Sequence, residues 1–373
     1  MCSYLDKPSD QDDDLEFSPS SSSELLQRCG GHVSHLPPPL PRQYTEIQSS
    51  FLFGETLRVF QWNVLAQSLG RENDNFVRCC HTTFDWKTRR WRMLEEIIRH
   101  DPDVICLQEL DHPKLLFKAL QSIGYSGRFL HKPDSPCLYL PNNNGPDGCA
   151  IFYKNSKFDN ISWATRVLKV WDVASNQVKI YTGCSKFNDC IKCILFNGIQ
   201  FILKVILGAI LRSKQTGQEL LVATTHLKAK FGDLRASFRT EQSKDILKWF
   251  EAIRGGRPII LTGDLNGLPS EQFYSNLTSN RDVPLVSSYK IVSDDTEETV
   301  EDALEYSTWK IRDTGEQKHI LDYILHTPGQ LETLRTLNVP DEETLGPNKL
   351  PSPSFVSDHK SLVADISMIS YVN

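Results

Sequence analysis

Six segments end in residues that a packed core does not need and a reaction could use. They are Asn63 in QWN, Glu109 in LQEL, His226 in TTHLK, Asp264 and Asn266 in GDLNG, Asp322 in LDYI, and Asp358-His359 in SDHKSL. Taken singly, each reads as a cap or a surface residue. Together they offer carboxylate and amide oxygens with two imidazoles and no paired cysteine. That donor set suits a hard cation such as Mg²⁺, which keeps several waters and is held by one or two carboxylates plus substrate phosphate; it does not suit structural zinc. Asp with His supplies an oriented imidazole, and Asn donates hydrogen bonds to developing negative charge. The chemistry these residues could perform together is metal-assisted phosphoester hydrolysis.

Strands and helices must bring them together. IILTGDLNG (259–267) is an apolar, β-branched run that breaks into a polar loop, a buried strand with its end. Asp264 and Asn266 lie two apart and share a face if the strand persists that far. LRVFQWNVL (57–65), DVICLQEL (103–110), GCAIFYK (148–154), ISWATRVLKVWDV (161–173), ELLVATTHLK (219–228), HILDYILH (319–326) and DHKSLVADISMI (358–369) are predicted strands. WKTRRWRMLEEIIRH (86–100) is an amphipathic helix with Trp91, Leu94, Ile97 and Ile98 on one face. KLLFKALQSIG is a helix ended by Gly124, and RTEQSKDILKWFEAI (239–253) a helix feeding the strand at Ile259. Strand runs mixed with crossover helices point to an α/β fold of two packed sheets with helices outside.

The 373 residues fit one large α/β domain with a tail. The net charge of −6 gives no support for a general nucleic-acid coat or a membrane-surface protein, though it leaves room for a local basic pocket. MCSYLDKPSDQDDDLEF has neither the apolar core of a secretory signal nor the character of a mitochondrial presequence. With ten cysteines and no such signal, reduced thiols in the cytoplasm are expected. Residues 1–50 are expected to be a disordered, acidic, Ser/Pro-rich tail, whose LPPPLPR run (36–42) reads as an extended linker or a ligand for a proline-binding partner. The catalytic domain is then 51–373, expected as a monomer with no membrane contact.

QWN, LQE, THLK, GDLN, LDYI and SDH, in this order, resemble the endonuclease/exonuclease/phosphatase superfamily over about residues 57–367. The resemblance implies a four-layer α-β-β-α sandwich of two mixed sheets. It also implies roles. Glu109 is the Mg²⁺ ligand, and Asn63 supports metal or phosphate. Asp264 orients or activates the attacking water, and Asn266 stabilises phosphoryl oxygens. His359, oriented by Asp322, acts on the phosphate or a proton. His226 hydrogen-bonds the phosphate, and Asp358 stands behind these groups. Longer stretches, among them DPDVICLQELDH, NNNGPDGCAIF, STWKIRDTGE and GPNKLPS, are similar to one branch of the superfamily. That likeness implies removal of the 2′-phosphate from NADP⁺ and NADPH. The alternative is a 3′-exoribonuclease that shortens poly(A), and a third reading is a binding module with a dead site. The intact acidic and His set argues against the third, and the modest basic content against a long RNA track. Candidate cations for the substrate are Lys132, Lys228, Lys230 and Arg312; the guanidinium of Arg312 is suited to a bidentate grip on phosphate. The branch carries Arg where Lys230 stands, so charge is kept and the planar fork lost. NNNGPDGCAIF (142–152) could bring backbone N–H groups to a ligand, or be a tight turn.

One stretch, residues 179–205, interrupts a strand-to-strand connection that in the superfamily is nearly direct. A membrane segment is disfavoured by Asn197, Gln200 and Lys204. A metal knuckle on Cys184, Cys190 and Cys193 lacks a second pair. The stretch is dense in Ile, Phe, Lys and Asn, keeps the reading frame, and can begin and end on codons resembling splice sites, so it reads as a translated intron. Phe196, Ile199 and Phe201 are then expected in an exposed loop.

Overall fold

The structure, a computed structural model, describes residues 15–18, 21–47, 54–72, 75–141, 143–172, 200–290 and 303–369. Two sheets pack face to face with helices on both outer surfaces. The first sheet runs Tyr44–Glu46, Leu331–Leu337, Leu362–Ile369, Gly54–Asn63, Val104–Leu110, Gly148–Lys154, Tyr125–His131. The second runs Val286–Ser287, Asp322–His326, Ile259–Asp264, Glu219–His226, Gln200–Ser213, Phe158–Asp172. Each is mixed: Gly54–Asn63 lies parallel to Val104–Leu110, and Glu219–His226 parallel to Ile259–Asp264, with the remaining pairs antiparallel. This is the α-β-β-α sandwich expected.

The period of two along each strand sorts the side chains into layers. Phe60, Trp62, Ile105, Leu107 and Phe152 face outward to the helices Trp86–Ile98 and Pro113–Gln121. Leu57, Val59, Val104, Cys106, Leu220, Val222, Ile260 and Ile324 face inward and fill the space between the sheets. Leu221, Ala223, Ile259 and Leu261 face outward again, onto Ile246, Trp249 and Phe250 of the helix Asp233–Ile253. The inner positions are apolar only part-way. Continuing each strand in phase places Gln61, Asn63, Gln108, Thr224, His226, Thr262, Asp264 and Asp322 at one end of the same space, all buried. No helix among the described residues is long and apolar enough to cross a membrane.

Residues 21–47, within the tail expected to be disordered, carry regular structure and packing. Ser22–Val33 is a helix whose N-cap Ser21 accepts from the Glu24 N–H at 3.2 Å. Leu25, Cys29 and Val33, four apart, are buried against the outer layer, where His32 stacks on Trp91 at 4.0 Å. The proline run is packed too: Arg92 donates to the Pro37 carbonyl at 2.6 Å, and Leu36 and Leu40 lie on the core. Serine-rich composition and the pair Gly30-Gly31, which costs helix stability, hid a three-residue apolar stripe. Residues 1–14 lie outside the described residues.

The connecting stretch also departs from expectation at its end. Residues 200–205 belong to the strand Gln200–Ser213, paired with Phe158–Asp172 so that Val205 stands opposite Val167 and Gln200 opposite Asp172. Val205 is 2% exposed. These residues are therefore ladder, not loop, because the long partner strand Phe158–Asp172 offers them main-chain hydrogen bonds. Residues 179–199, with Phe196, Ile199 and the three cysteines, lie outside the described residues.

The register makes a deletion concrete. Removing 179–205 joins Val178 to Ile206, whose partner is Arg166. Val178 would then replace Val205 opposite Val167, and Gln177 would replace Lys204. Asp172-Val173 would be left as a two-residue hairpin loop. Lys204 is partly buried, and burial together with Lys132 and Lys228 lowers its pKa to about 7. The deletion thus exchanges a disfavoured cation for an amide. The deletion variant is expected to fold, melt at a higher temperature and keep its catalytic centre. A thermal melt with an activity assay checks this, and failure to fold would show that the stretch is integral.

Candidate active site

The polar end of the inter-sheet space is built from strand ends. Asn63, Asp264 and His226 terminate Gly54–Asn63, Ile259–Asp264 and Glu219–His226, and Asp322 begins the antiparallel Asp322–His326. Asn63 ties two carboxylates together. Its Nδ2 donates to Glu109 Oε1 at 3.0 Å and to Asp264 Oδ2 at 2.8 Å, while its Oδ1 accepts from the Leu65 N–H at 3.0 Å. Glu109 reaches this point against the alternation, which would turn it outward beside Leu107. A left-handed φ of 55° and a register shift between Leu107 and Leu110 swing its side chain inward, where Oε2 accepts from the Ala66 N–H at 3.2 Å.

His226 Nε2 lies 3.5 Å from Asp264 Oδ2 and 4.0 Å from Glu109 Oε1. Lys132 Nζ donates to its Nδ1 at 3.0 Å. Burial, then Lys132, lowers the His226 pKa well below its usual value, so the imidazole is neutral. An ammonium donating to Nδ1 leaves the remaining proton on Nε2, the nitrogen facing the carboxylates.

Facing this group, His359 Nδ1 donates to Asp322 Oδ2 at 2.7 Å, and its Nε2 lies 3.8 Å from both Asp264 Oδ2 and Asp358 Oδ2. Burial opposes charge on His359, but Asp322, Asp264 and Asp358 together outweigh it and raise its pKa to about 9, which keeps it cationic at neutral pH. Burial pushes Asp264 the other way, upward, with Asp322 and Glu109 adding to the shift and His359 opposing it. Asp322 is itself held: Gln61 Nε2 donates to Oδ1 at 3.0 Å and Ser307 Oγ to Oδ2 at 2.7 Å. Two sets, Glu109/His226/Asp264 and Asp264/Asp322/His359, bring their ligand atoms within 4.8 Å of one another; with His226 Nε2 and His359 protonated, the carboxylates are the donors left for a metal ion.

Cations flank the centre on two sides. Beside His226 lie Lys132 and Lys228. Lys132 is only 2% exposed, and its ammonium is engaged by Asp147 as well as by His226. Lys228 is half-buried, and burial followed by neighbouring Arg235 lowers its pKa. Beside His359, Lys310 pairs with Asp358, and Arg312 lies 3.6 Å from the same carboxylate and 5.3 Å over the Phe76 ring. Both project from the hairpin Thr308–Arg312/Gly315–His319. Lys230 is exposed, in a left-handed backbone conformation.

The structure therefore gathers Asn63, Glu109, His226, Asp264, Asp322 and His359 into one centre and sets Lys132, Lys228 and Arg312 around it. Asn266 is arranged differently from the shared strand face expected. The strand stops at Asp264, and Asn266 takes a left-handed φ of 54° beyond it. Its backbone N–H donates to Asp264 Oδ1 at 3.0 Å and its side chain to the Leu227 carbonyl at 3.3 Å. Of NNNGPDGCAIF, Asp147 is buried and fixes Lys132 and Ser135, and Gly148 opens a strand. Sequence reasoning missed Gln61, Ser307, Asp147 and Lys310. Gln61 and Lys310 had a signal: each stands two residues before a named site residue, hence on the same strand face. Ser307 and Asp147 had none. Among the described residues Cys29, Cys79, Cys80, Cys106, Cys137 and Cys149 are unpaired with one another, and the C-x-x-C of Cys190 and Cys193 lies outside the described residues.

The sequence model of the endonuclease/exonuclease/phosphatase family matches residues 60–359. The chain is similar to nocturnin of Xenopus laevis, 38% identical over 357 residues, covering 94% of this chain and 83% of that protein. It is 40% identical over 330 residues to nocturnin of Drosophila melanogaster, covering 85% of this chain but 47% of that longer protein. Among solved structures, the human nocturnin catalytic domain with bound sulfate anion superposes with a TM-score of 0.65 at 30% identity, covering 89% of this chain and 99% of that one. The 2′,3′-cyclic phosphatase ANGEL2 superposes at 0.66 with 21% identity, a likeness of fold.

Proposed function

Because the chain belongs to the nocturnin branch of the endonuclease/exonuclease/phosphatase family, we propose that it is a Mg²⁺-dependent phosphatase removing the 2′-phosphate of NADP⁺ and NADPH. The observation that carries the reading is the pairing of one hydrolytic centre with cations on two flanks, Lys228 on one and Arg312 on the other. Such an arrangement can hold a substrate with a 2′-phosphate and a separate pyrophosphate.

The donor set fits the ion. Glu109 offers hard carboxylate oxygens at a partly open position, and no thiol takes part. Bound there, Mg²⁺ would polarise the phosphoryl group as a Lewis acid. The remaining work falls to the protein. Asp264, its proton affinity raised by burial, accepts a proton from the water as its oxygen bonds to phosphorus; the P–O2′ bond breaks, and the leaving ribose oxygen takes up a proton, for which cationic His359 is the donor at hand. Asn63 keeps Asp264 and Glu109 at fixed separation. His226 presents its Nε2–H, and His359 a cationic N–H, to the oxygens on which charge develops. Arg312 grips phosphate away from the scissile bond.

Incubating the purified protein and Mg²⁺ with NADPH and, in parallel, with oligo(A) tests the reading. Phosphate release without adenylate release supports it, and adenylate release alone would replace it with the exoribonuclease reading. Arg312→Ala is expected to raise KM for NADPH by about 10- to 100-fold, since a charged hydrogen bond contributes roughly 1.5–3 kcal/mol. Initial-rate kinetics check this, and an unchanged KM would remove Arg312 from the pocket.

A further inference from the structure

Of the exposed large apolar side chains among the described residues, two are aromatic, Tyr139 and Phe231, and Phe231 is 46% exposed. Phe231 stands out because the chain holds it in the open. Lys230 before it and Gly232 after it have φ of 78° and 105°, the left-handed region that a lysine rarely adopts. Fully buried Arg239 keeps the loop in this form. Its Nη1 donates to the carbonyls of Lys228 and Lys230, both at 2.9 Å, while Nε and Nη2 grip Glu271 at 2.8 Å. A strained loop that is held by a buried guanidinium and presents an apolar ring to solvent is a mark of function.

The loop that carries the ring starts at the catalytic centre. It leaves the sheet at His226, where the Leu227 N–H donates to the Asp264 carbonyl at 3.0 Å. Across from it, His319 ends the hairpin strand opposite Thr308, three residues before Asp322, and accepts from the Ser307 N–H at 2.9 Å. The Phe231 and His319 rings approach to 4.8 Å between centroids at 59°. At that spacing nothing fits between them, so His319 braces one side of Phe231 while the residue stays 46% exposed.

We propose that Phe231, braced by His319, is a stacking platform for the adenine ring of the nucleotide substrate. The proposal deepens the functional reading above and rests on it. The phosphate to be removed sits on the adenosine ribose, so adenine is the ring one sugar away from the reacting phosphorus, within reach of a loop that begins at His226. Stacking on an aromatic face is available to any base without hydrogen-bond readout. Burial, then Lys310, lowers the pKa of His319, so the brace is a neutral ring.

The test compares NADPH with methyl ribofuranoside 2-phosphate, which carries the same scissile group and no base. In Phe231→Ala the ratio of kcat/KM between the two is expected to fall about tenfold, through KM for NADPH, and Phe231→Trp to restore it. Equal losses on both substrates would overturn the platform. Equilibrium binding of adenosine monophosphate separates this proposal from the one beneath it. If the wild-type protein does not hydrolyse NADPH, yet its affinity for adenosine monophosphate falls about tenfold in Phe231→Ala, the substrate assignment is lost and the platform stands. Unchanged affinity overturns the platform itself.

Discussion

Asp322→Asn is expected to lower kcat by about 10³- to 10⁴-fold while KM for NADPH changes only a few-fold. Asp322 is fully buried and accepts from His359 Nδ1, Gln61 Nε2 and Ser307 Oγ. An amide offers one acceptor oxygen where three donors converge, and it removes the charge that does most to keep His359 protonated. The imidazole then loses both orientation and charge. Arg312 and Lys228, which hold substrate phosphate in this account, are not touched, so ground-state binding persists. Melting should drop modestly, because one or two buried donors are left unpaired at about 1–3 kcal/mol each. Steady-state kinetics with a melt decide the matter. A rise in KM with kcat intact would mean that the His359–Asp322 pair binds rather than reacts.

Glu109→Ala is expected to abolish turnover, by about 10³-fold or more, with a nearly unchanged melt in the absence of metal. The small stability effect has a physical reason. The carboxylate accepts from Asn63 and from the Ala66 N–H, and losing those bonds destabilises, but its charge also raises the cost of ionising Asp264 nearby. Removing it relieves that repulsion. The wild-type protein should gain melting temperature on addition of Mg²⁺, because a ligand that binds only the native state stabilises it. The variant should not. A Mg²⁺-dependent melt that survives the substitution would move the ion away from Glu109.

The site was legible where strands keep their period. Asn63, His226, Asp264 and Asp322 each stand in phase with apolar inner-face residues of their own strand, so a polar residue at the strand end pointed into the inter-sheet space. Glu109 had the right chemistry, but its direction depends on a left-handed φ that no residue pattern announces. Lys132 looked like a free cation beside the site. Asp147, fifteen residues away, turns it inward to fix the tautomer of His226. The hairpin that carries Lys310 and Arg312 was not foreseen, since GEQKH has no apolar alternation and its partner strand is only five residues long. The helix Ser22–Val33 escaped for the opposite reason: its periodicity exists, but in a serine-rich setting with two adjacent glycines. Layer order was readable from strand and helix alternation. The pairing of Gln200–Ser213 as far back as Gln200 was not, because residues 200–205 fell within a stretch that composition marked as foreign.

The most direct test of the central claim is ³¹P NMR of NADPH incubated with the protein and Mg²⁺. The 2′-phosphomonoester resonance is expected to disappear, inorganic phosphate to appear in equal amount, and the pyrophosphate resonances to persist as those of NADH. Asp322→Asn should leave the spectrum essentially unchanged over the same interval. Loss of the pyrophosphate signal with the 2′-phosphate intact, or a static spectrum alongside adenylate release from oligo(A), would contradict the account.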